Sequence, residues 1–401
     1  MFKNFDAKLM GGVFLIIGTA VGGGMLALPV ANGPAGFISS SVFLLLIWAL
    51  STVAAFLILE VNLWLPAGSN VISMARHTLG KPGEIIAWSA YLFLLYALLS
   101  AYIAGGLDIL TGLLALVNIM IPTWLSAVIL AGVMATVIYK GIRLADFINR
   151  GLIFSKFTVY FLLVILISPY ISLNNLQQGD TQYIAGMLMV LVTSFGFSII
   201  VPSLRAYFKS DVKKLRCAIL IGSLIPLVLY VVWDAVVIGA ISRHGDLGLI
   251  AILTSDQPNS NVAAAIAQTL ADPLITVFYR FFMSVAILTS FLGVSLCLFD
   301  FLADGLHFAK RGKQGLLLLA VTFLPPLLIS VFYPGAFIAA LSYAGIACVI
   351  LLLLLPAAMA WSGRYIKQLA NGYQLFGGKW MLATVILLSL TLLVIGVGEE
   401  I

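Results

Sequence analysis

Gly18-Thr19-Ala20-Val21-Gly22-Gly23-Gly24-Met25-Leu26-Ala27-Leu28-Pro29 interrupts the first of about eleven hydrophobic segments in this 401-residue chain. A helix that crosses lipid satisfies its backbone through unbroken i to i−4 hydrogen bonds, because hydrocarbon offers no other partner. Three consecutive glycines, with a proline beyond, give up that continuity at bilayer depth. The freed N–H and C=O groups are tolerated there only where they face protein, water or a ligand. Thr19, Gly22, Gly23, Gly24 and Met25 are therefore the first candidates for a substrate site.

Composition sets the frame around this break. Hydrophobic residues make up 62% of the chain and charged ones 9%, and mean hydropathy is +1.15. A soluble core cannot absorb so many long apolar runs, so the chain reads as an all-α polytopic membrane protein. Spans are predicted near 9–31, 36–64, 84–116, 122–140, 150–170, 183–207, 214–240, 272–308, 315–332, 336–361 and 379–398. Several exceed the roughly 20 residues a bilayer needs, so tilting or extension into water is expected. Lys3 and Lys8 precede a segment too long for a cleavable signal, and the first helix is expected to stay. Cys217, Cys297 and Cys348 are too scattered for a disulfide framework or a zinc motif and read as packing residues. One long loop, about 241–271, ends in an alanine-rich stretch, Asn261–Ala271, suited to a short surface helix.

Loop charge orients the chain. With the N-terminus in the cytoplasm, all of the 21 lysines and arginines except Arg243 and Arg280 fall on the inner side. Asp180, Asp246, Asp256, Asp272, Glu399 and Glu400 gather on the other. This is the positive-inside pattern, and an odd number of spans puts the C-terminus outside, periplasmic if the membrane is a bacterial inner membrane. The net charge of +6 reflects that topology rather than a nucleic-acid partner.

The sixth span repeats the interruption at Thr193-Ser194-Phe195-Gly196-Phe197-Ser198, followed by Pro202. Spans one and six stand five helices apart, and an odd offset makes the two halves enter the membrane from opposite sides. That is the arrangement of inverted-topology repeats, whose paired broken helices mark a site near the midplane. The chain is then one transmembrane domain, with a first repeat over 1–182, a second over 183–361 and an eleventh helix in 362–401. At such a break the start of the following half-helix presents bare N–H groups and partial positive charge. The end of the preceding half presents carbonyls. A zwitterionic amino acid matches both. Glycines also serve close helix packing, but the pairing at this offset favours a site.

Further motifs run in order along the chain: GTAVGGGMLALP at 18–29, TSFGF at 193–197 with VPS at 201–203, and KKLR at 213–216. SFLGVSLCLFDFLAD at 290–304, TFLPP at 322–326, FYPGAF at 332–337 and SYAG at 342–345 follow. In these the chain resembles the hydroxy/aromatic amino acid permeases, the bacterial tyrosine and tryptophan transporters. The resemblance implies eleven helices and the LeuT-type 5+5 inverted-repeat fold of the amino acid–polyamine–organocation superfamily. It also implies uptake of an aromatic amino acid, tyrosine favoured, by proton symport. No cofactor is expected; the partners are the substrate, protons and the lipid bilayer.

Other residues join the candidate site. In the third span Tyr96, Ser100 and Ile103 recur on one helical face, with Tyr102 beside them; they either contact the substrate or pack with the tyrosine hydroxyl bonded to a neighbouring helix. Ser194, Phe195, Gly196 and Phe197 sit in the second break, where a phenylalanine ring suits an aromatic substrate. By resemblance, Ser290, Phe291 and Tyr343 complete the pocket.

Ionisable side chains inside spans are functional hypotheses by default. Lys156 lies about six residues into the fifth span; by resemblance it takes the place of a coupling sodium ion and gives up its proton during the cycle. The plain alternative is that its long stem snorkels to water. Glu60, late in the second span, reads as the partner of a basic residue in an inner gate, or as a proton carrier. Asp300 and Asp304 are expected to pair with nearby basic groups. Asp108, Asp234 and Arg280 sit toward the outer ends of their spans, with an outer ion pair of Arg280 among the expectations. His77, His244 and His307 read as solvated.

An integral-membrane enzyme would need clustered ligands or a nucleophile with a base; no HExxH is present and GGGM lacks the Lys-Ser/Thr of a phosphate loop. A channel would show repeated pore-lining polar rings. The nearest rival is sodium-coupled uptake of a neutral amino acid, against which a fixed ammonium at Lys156 argues.

Overall fold

The structure is a computed structural model that describes residues 7–116, 121–333 and 335–400. Lys3 and Pro334 of the sequence reading lie outside these residues, as do the side chains of Arg143, Arg150 and Glu400. The described residues form helices and turns with no strand, the only open architecture that lipid permits. Among the described residues ten helices are long and apolar enough to cross a membrane, and a bent pair at the start, counted as one span, makes eleven.

The first span is Ala7–Ala20 followed by Gly23–Asn32, with a bend of 54° between them. The next four are Phe37–Leu63, Lys81–Leu116, Thr123–Lys140 and Ile142–Ile167. The fifth begins eight residues earlier than hydropathy predicts, because charged helical turns before Gly151 extend it beyond the apolar stretch. The third, at 36 residues, is about 54 Å long at 1.5 Å per residue, far more than the hydrocarbon needs.

The sixth span is α-helical over Ile184–Ser194, tightens to a 3₁₀ turn over Gly196–Ile200 and resumes over Val201–Tyr207. Phe195 between them leaves the helical region (φ −103°, ψ 27°). Here the two broken spans differ: the first turns sharply, whereas the sixth holds one course from Thr181 to Tyr207. The seventh to ninth spans are Val212–Ala240, Pro273–Leu306 and Gly312–Phe332.

The tenth runs Phe337–Cys348, widens to a π turn over Val349–Leu354, returns to α over Leu355–Trp361 and widens again over Ser362–Ile366. Pro356 accounts for the first widening. It has no N–H for the carbonyl four residues back and its ring crowds that carbonyl, so the preceding turn opens. Gly378–Glu400 forms the eleventh.

Between spans seven and eight, Leu249–Leu253 and Pro258–Leu270 are short helices. The second is not the surface helix expected. Val262, Ala263, Ala265, Ile266 and Leu270 are buried, so its apolar side seals against the bundle. The Asp108 carboxylate of span three accepts hydrogen bonds from Asn259 N (2.7 Å) and Ser260 N (3.2 Å). It thereby caps orphan donors at the start of that helix.

Candidate functional site

The bend of the first span frees backbone groups, and side chains from three other spans take them up. Gly22 is extended (φ −142°, ψ −148°). Gly23 N donates to Ser290 Oγ at 2.8 Å, and that hydroxyl in turn donates to Ala286 O at 3.0 Å. Lys156 Nζ donates to Val21 O at 2.5 Å. The Tyr230 hydroxyl lies 2.6 Å from Ala20 O and 3.0 Å from Ser194 O. One phenol therefore spans the carbonyl ends of both interrupted helices.

The two breaks touch. A Cβ on Gly24 would stand 3.2 Å from Ser194 Oγ. One on Gly22 would meet Ser290 Oγ at 2.5 Å, and one on Gly23 would meet the Tyr102 ring at 2.5 Å. Close approach thus favours glycine most strongly at Gly22 and Gly23 and less so at Gly24, and in this conformation Ser290, Tyr102 and Ser194 fill the space before them. Met25, Phe195 and Phe197 are buried around the same point. Phe195 stacks edge-on against Tyr230, with centroids 5.4 Å apart. Gly196 faces Cys348, whose sulfur lies 3.7 Å from a Cβ built there. Cys348 is the last residue before the π turn. Phe291, next to Ser290, is buried against Phe323 (6.2 Å).

Several candidates lie elsewhere. Tyr96 donates its hydroxyl to Val321 O (2.8 Å), and Ser330 Oγ donates to Ser100 O (3.1 Å). Both contacts are with the ninth span, so this face of the third span packs there rather than on the glycines. Ile103 is wholly buried; Tyr102, beside that face, is the residue brought to the break. Thr19 is exposed and bonded to its own helix at Leu15 O (2.8 Å). Tyr343 is 39% exposed and its ring meets that of Phe93, itself exposed. Hydropathy offered no hint of Tyr230; its only signal was a polar aromatic in a span facing both breaks.

Lys156 is 2% exposed and does not snorkel. Among the described residues it forms no ion pair, and Val21 O is its one hydrogen-bond acceptor. A buried lysine head group thus stands on a main-chain carbonyl at the point where the first helix stops.

Glu60 is wholly buried in a two-pronged ion pair with Arg364 in the second π turn, Oε1 to Nε 2.7 Å and Oε2 to Nη2 2.5 Å. Leu375 N adds a third donor at 2.8 Å. Both carboxylate oxygens are engaged, the arrangement of a structural clasp. Nearby, Arg205 of the sixth span donates to the carbonyls of Asn62 and Leu65, closing the end of the second. Asp300 pairs with Lys310 (2.8 Å). Asp180 pairs with Arg243 (3.6 Å). No group of three or more His, Cys, Asp or Glu side chains among the described residues could hold a metal ion.

An apolar bundle with two abutting interrupted spans is the anatomy of a carrier, and sequence comparison agrees. The profile of the tryptophan/tyrosine permease family matches residues 6–396. The chain belongs to that family. The permease is 32% identical to the tyrosine-specific transport system 2 of Haemophilus influenzae, over 98% of its own length and 97% of the relative's. It is 31% identical to the tryptophan-specific transport protein of the same organism, over 100% and 98%. It is 30% identical to glutamine transporter 2 of Aliivibrio fischeri, over 96% and 98%. The permease is a multi-pass membrane transport protein and not an enzyme.

Proposed function

We propose that the permease takes up an aromatic amino acid, tyrosine first, by proton symport, binding it at the shared break of spans one and six. The observation that carries this reading is the buried Lys156 ammonium on Val21 O, beside glycine amides that a side chain would obstruct. The substrate carboxylate takes the N–H groups around Gly22–Gly24, displacing Ser290 from Gly23. The substrate ammonium takes the carbonyl ends at Ala20 and Ser194, and the ring lies toward Phe195 and Phe197. Lys156 occupies the place of a coupling cation and repels sodium. Loss of its proton leaves a neutral amine that donates to Val21 O more weakly, and so loosens its hold on the first half-helix.

The halves 1–182 and 183–361 act as inverted repeats that rock about this point in alternating access. The basic end faces the cytoplasm of a bacterial inner membrane, and the C-terminus faces the periplasm. Gly18, one turn before the break, and Gly293, one turn past Ser290, each have no neighbour within 4 Å of an added Cβ.

The Aliivibrio fischeri relative supports a second reading, a neutral polar amino acid on the same scaffold. A thermal-shift screen of the purified permease against all twenty amino acids separates the two, since only a bound ligand stabilises the native state. Tyrosine, tryptophan or phenylalanine alone should raise Tm; stabilisation by glutamine and not by these would overturn the aromatic assignment. Uptake into proteoliposomes should collapse with a protonophore and persist without sodium.

A further inference from the structure

Asp234 lies wholly buried in the seventh span, and its Oδ2 accepts from Asn32 Nδ2 at 2.6 Å. Asn32 is the last residue of the half-helix that begins at Gly23. Asp234 Oδ1 and Asn32 Oδ1, both buried, have no hydrogen-bond partner among the described residues. Two acceptor oxygens in one contact thus lack a donor, which native interiors seldom permit.

No neighbour among the described residues supplies one in this conformation, and the adjacent Trp233 Nε1 is itself buried without a partner. Trp233 stacks on Tyr279 (5.9 Å) and tilts against Phe282 (5.0 Å) and Tyr160 (5.8 Å), so an aromatic wall closes this side. Tyr160 of the fifth span is the titratable group that faces Asp234, and its hydroxyl is committed to Leu229 O at 2.9 Å. On the fifth span Lys156 is held on Val21 O; beyond the seventh, Arg243 is engaged with Asp180 and the Tyr183 ring. The second span faces the seventh through Trp48 and Thr52 at Ser223, eleven residues earlier. No lysine, arginine or histidine among the described residues forms an ion pair with Asp234.

A bare carboxylate here would bear a large desolvation cost with a single neutral amide in compensation. One proton removes the charge and supplies the donor that the orphan oxygens lack. We infer that Asp234 is a proton-binding site of the permease, neutral while it is paired with Asn32. Protonation is simple addition of H⁺ to the carboxylate. Release follows when Asn32 withdraws and water reaches the carboxyl, so ionisation of Asp234 is tied to displacement of the half-helix carrying Gly23 and Gly24. The transport consequence rests on the symport reading; the protonation itself does not.

Infrared spectra of the purified full chain in lipid at neutral pH test the protonation. A protonated-carboxyl C=O band should be present in the wild type, absent in Asp234→Asn and shifted in Asn32→Leu, which removes the amide. If Asp234→Asn deletes no such band, or Asn32→Leu leaves its frequency unchanged, the inference is overturned. In proteoliposomes, Asp234→Asn should keep counterflow exchange and lose accumulation driven by a pH gradient. Accumulation equal to wild type, or loss of exchange as well in a folded protein, overturns the role in coupling. Sodium dependence that Asp234→Asn removes also overturns it, in favour of a cation site. A wild type indifferent to the proton gradient would sink the symport reading and leave the infrared result standing.

Discussion

Lys156 Nζ and Val21 O, 135 residues apart in sequence, are joined by a 2.5 Å hydrogen bond inside the bundle. The fifth span thereby holds the first span at the residue where its helix ends. Neutral Lys156→Gln should retain binding and counterflow but lose protonophore-sensitive accumulation. Uphill uptake at the wild-type level in that variant would remove Lys156 from the coupling scheme.

Ser290 and Gly22 compete for one space. Gly22→Ala should abolish transport, because its Cβ would stand 2.5 Å from Ser290 Oγ. Adding Ser290→Ala leaves the Ser290 Cβ at 3.7 Å, an ordinary contact, and should restore part of the activity. Ser290→Ala alone strands the Gly23 N–H, at about 1–3 kcal/mol. A thermal-unfolding and uptake series on the two singles and the double would show the coupling; strict additivity would contradict it.

The Glu60–Arg364 clasp is sealed at both ends of the pair. Glu60→Ala leaves an uncompensated guanidinium and should cost about 3–5 kcal/mol. Replacing the pair together, Glu60→Leu with Arg364→Met, should cost less than either single change. Melting temperatures in detergent decide this, and a double variant worse than both singles would argue against the pair as the source of the loss.

Asp108 caps the helix Pro258–Leu270 from another span. Asp108→Ala should cost about 1 kcal/mol, as for other lost caps. Hydrogen exchange should quicken at the Asn259 and Ser260 amides and spread along the helix. Unchanged exchange there would show that the carboxylate does not hold the segment.

Tyr96→Phe breaks the bond to Val321 O and should lower stability by about 1 kcal/mol while leaving the KM for substrate unchanged. A raised KM without loss of stability would return Tyr96 to the binding site.

These predictions follow a division in what the residues themselves disclosed. The Gly22–Gly24 break, the second break after Ser194 and the eleven apolar segments were legible because lipid leaves so few ways to satisfy a backbone. Lys156 and Glu60 were legible as charges out of place, but not their partners, which lie 135 and 304 positions away. For Tyr96 and Ser100, substrate contact and packing both stayed open, because spacing shows that residues share a helical face and not which neighbour that face meets. Tyr102 approaches Gly23 while Tyr96 bonds to Val321 of the ninth span, a division that packing makes and spacing alone does not show. Nor did hydropathy show the widened turns of span ten, since a π turn changes geometry and not composition; Pro356 was its only trace.

The Tyr230 phenol carries one hydrogen, yet two peptide oxygens, of Ala20 and Ser194, share it. If either helix end draws away, the other keeps the whole bond, so separation at this joint is partly compensated. The hydroxyl is a joint common to both interrupted helices: the end that stays keeps its donor, and the carbonyl that withdraws is released to another.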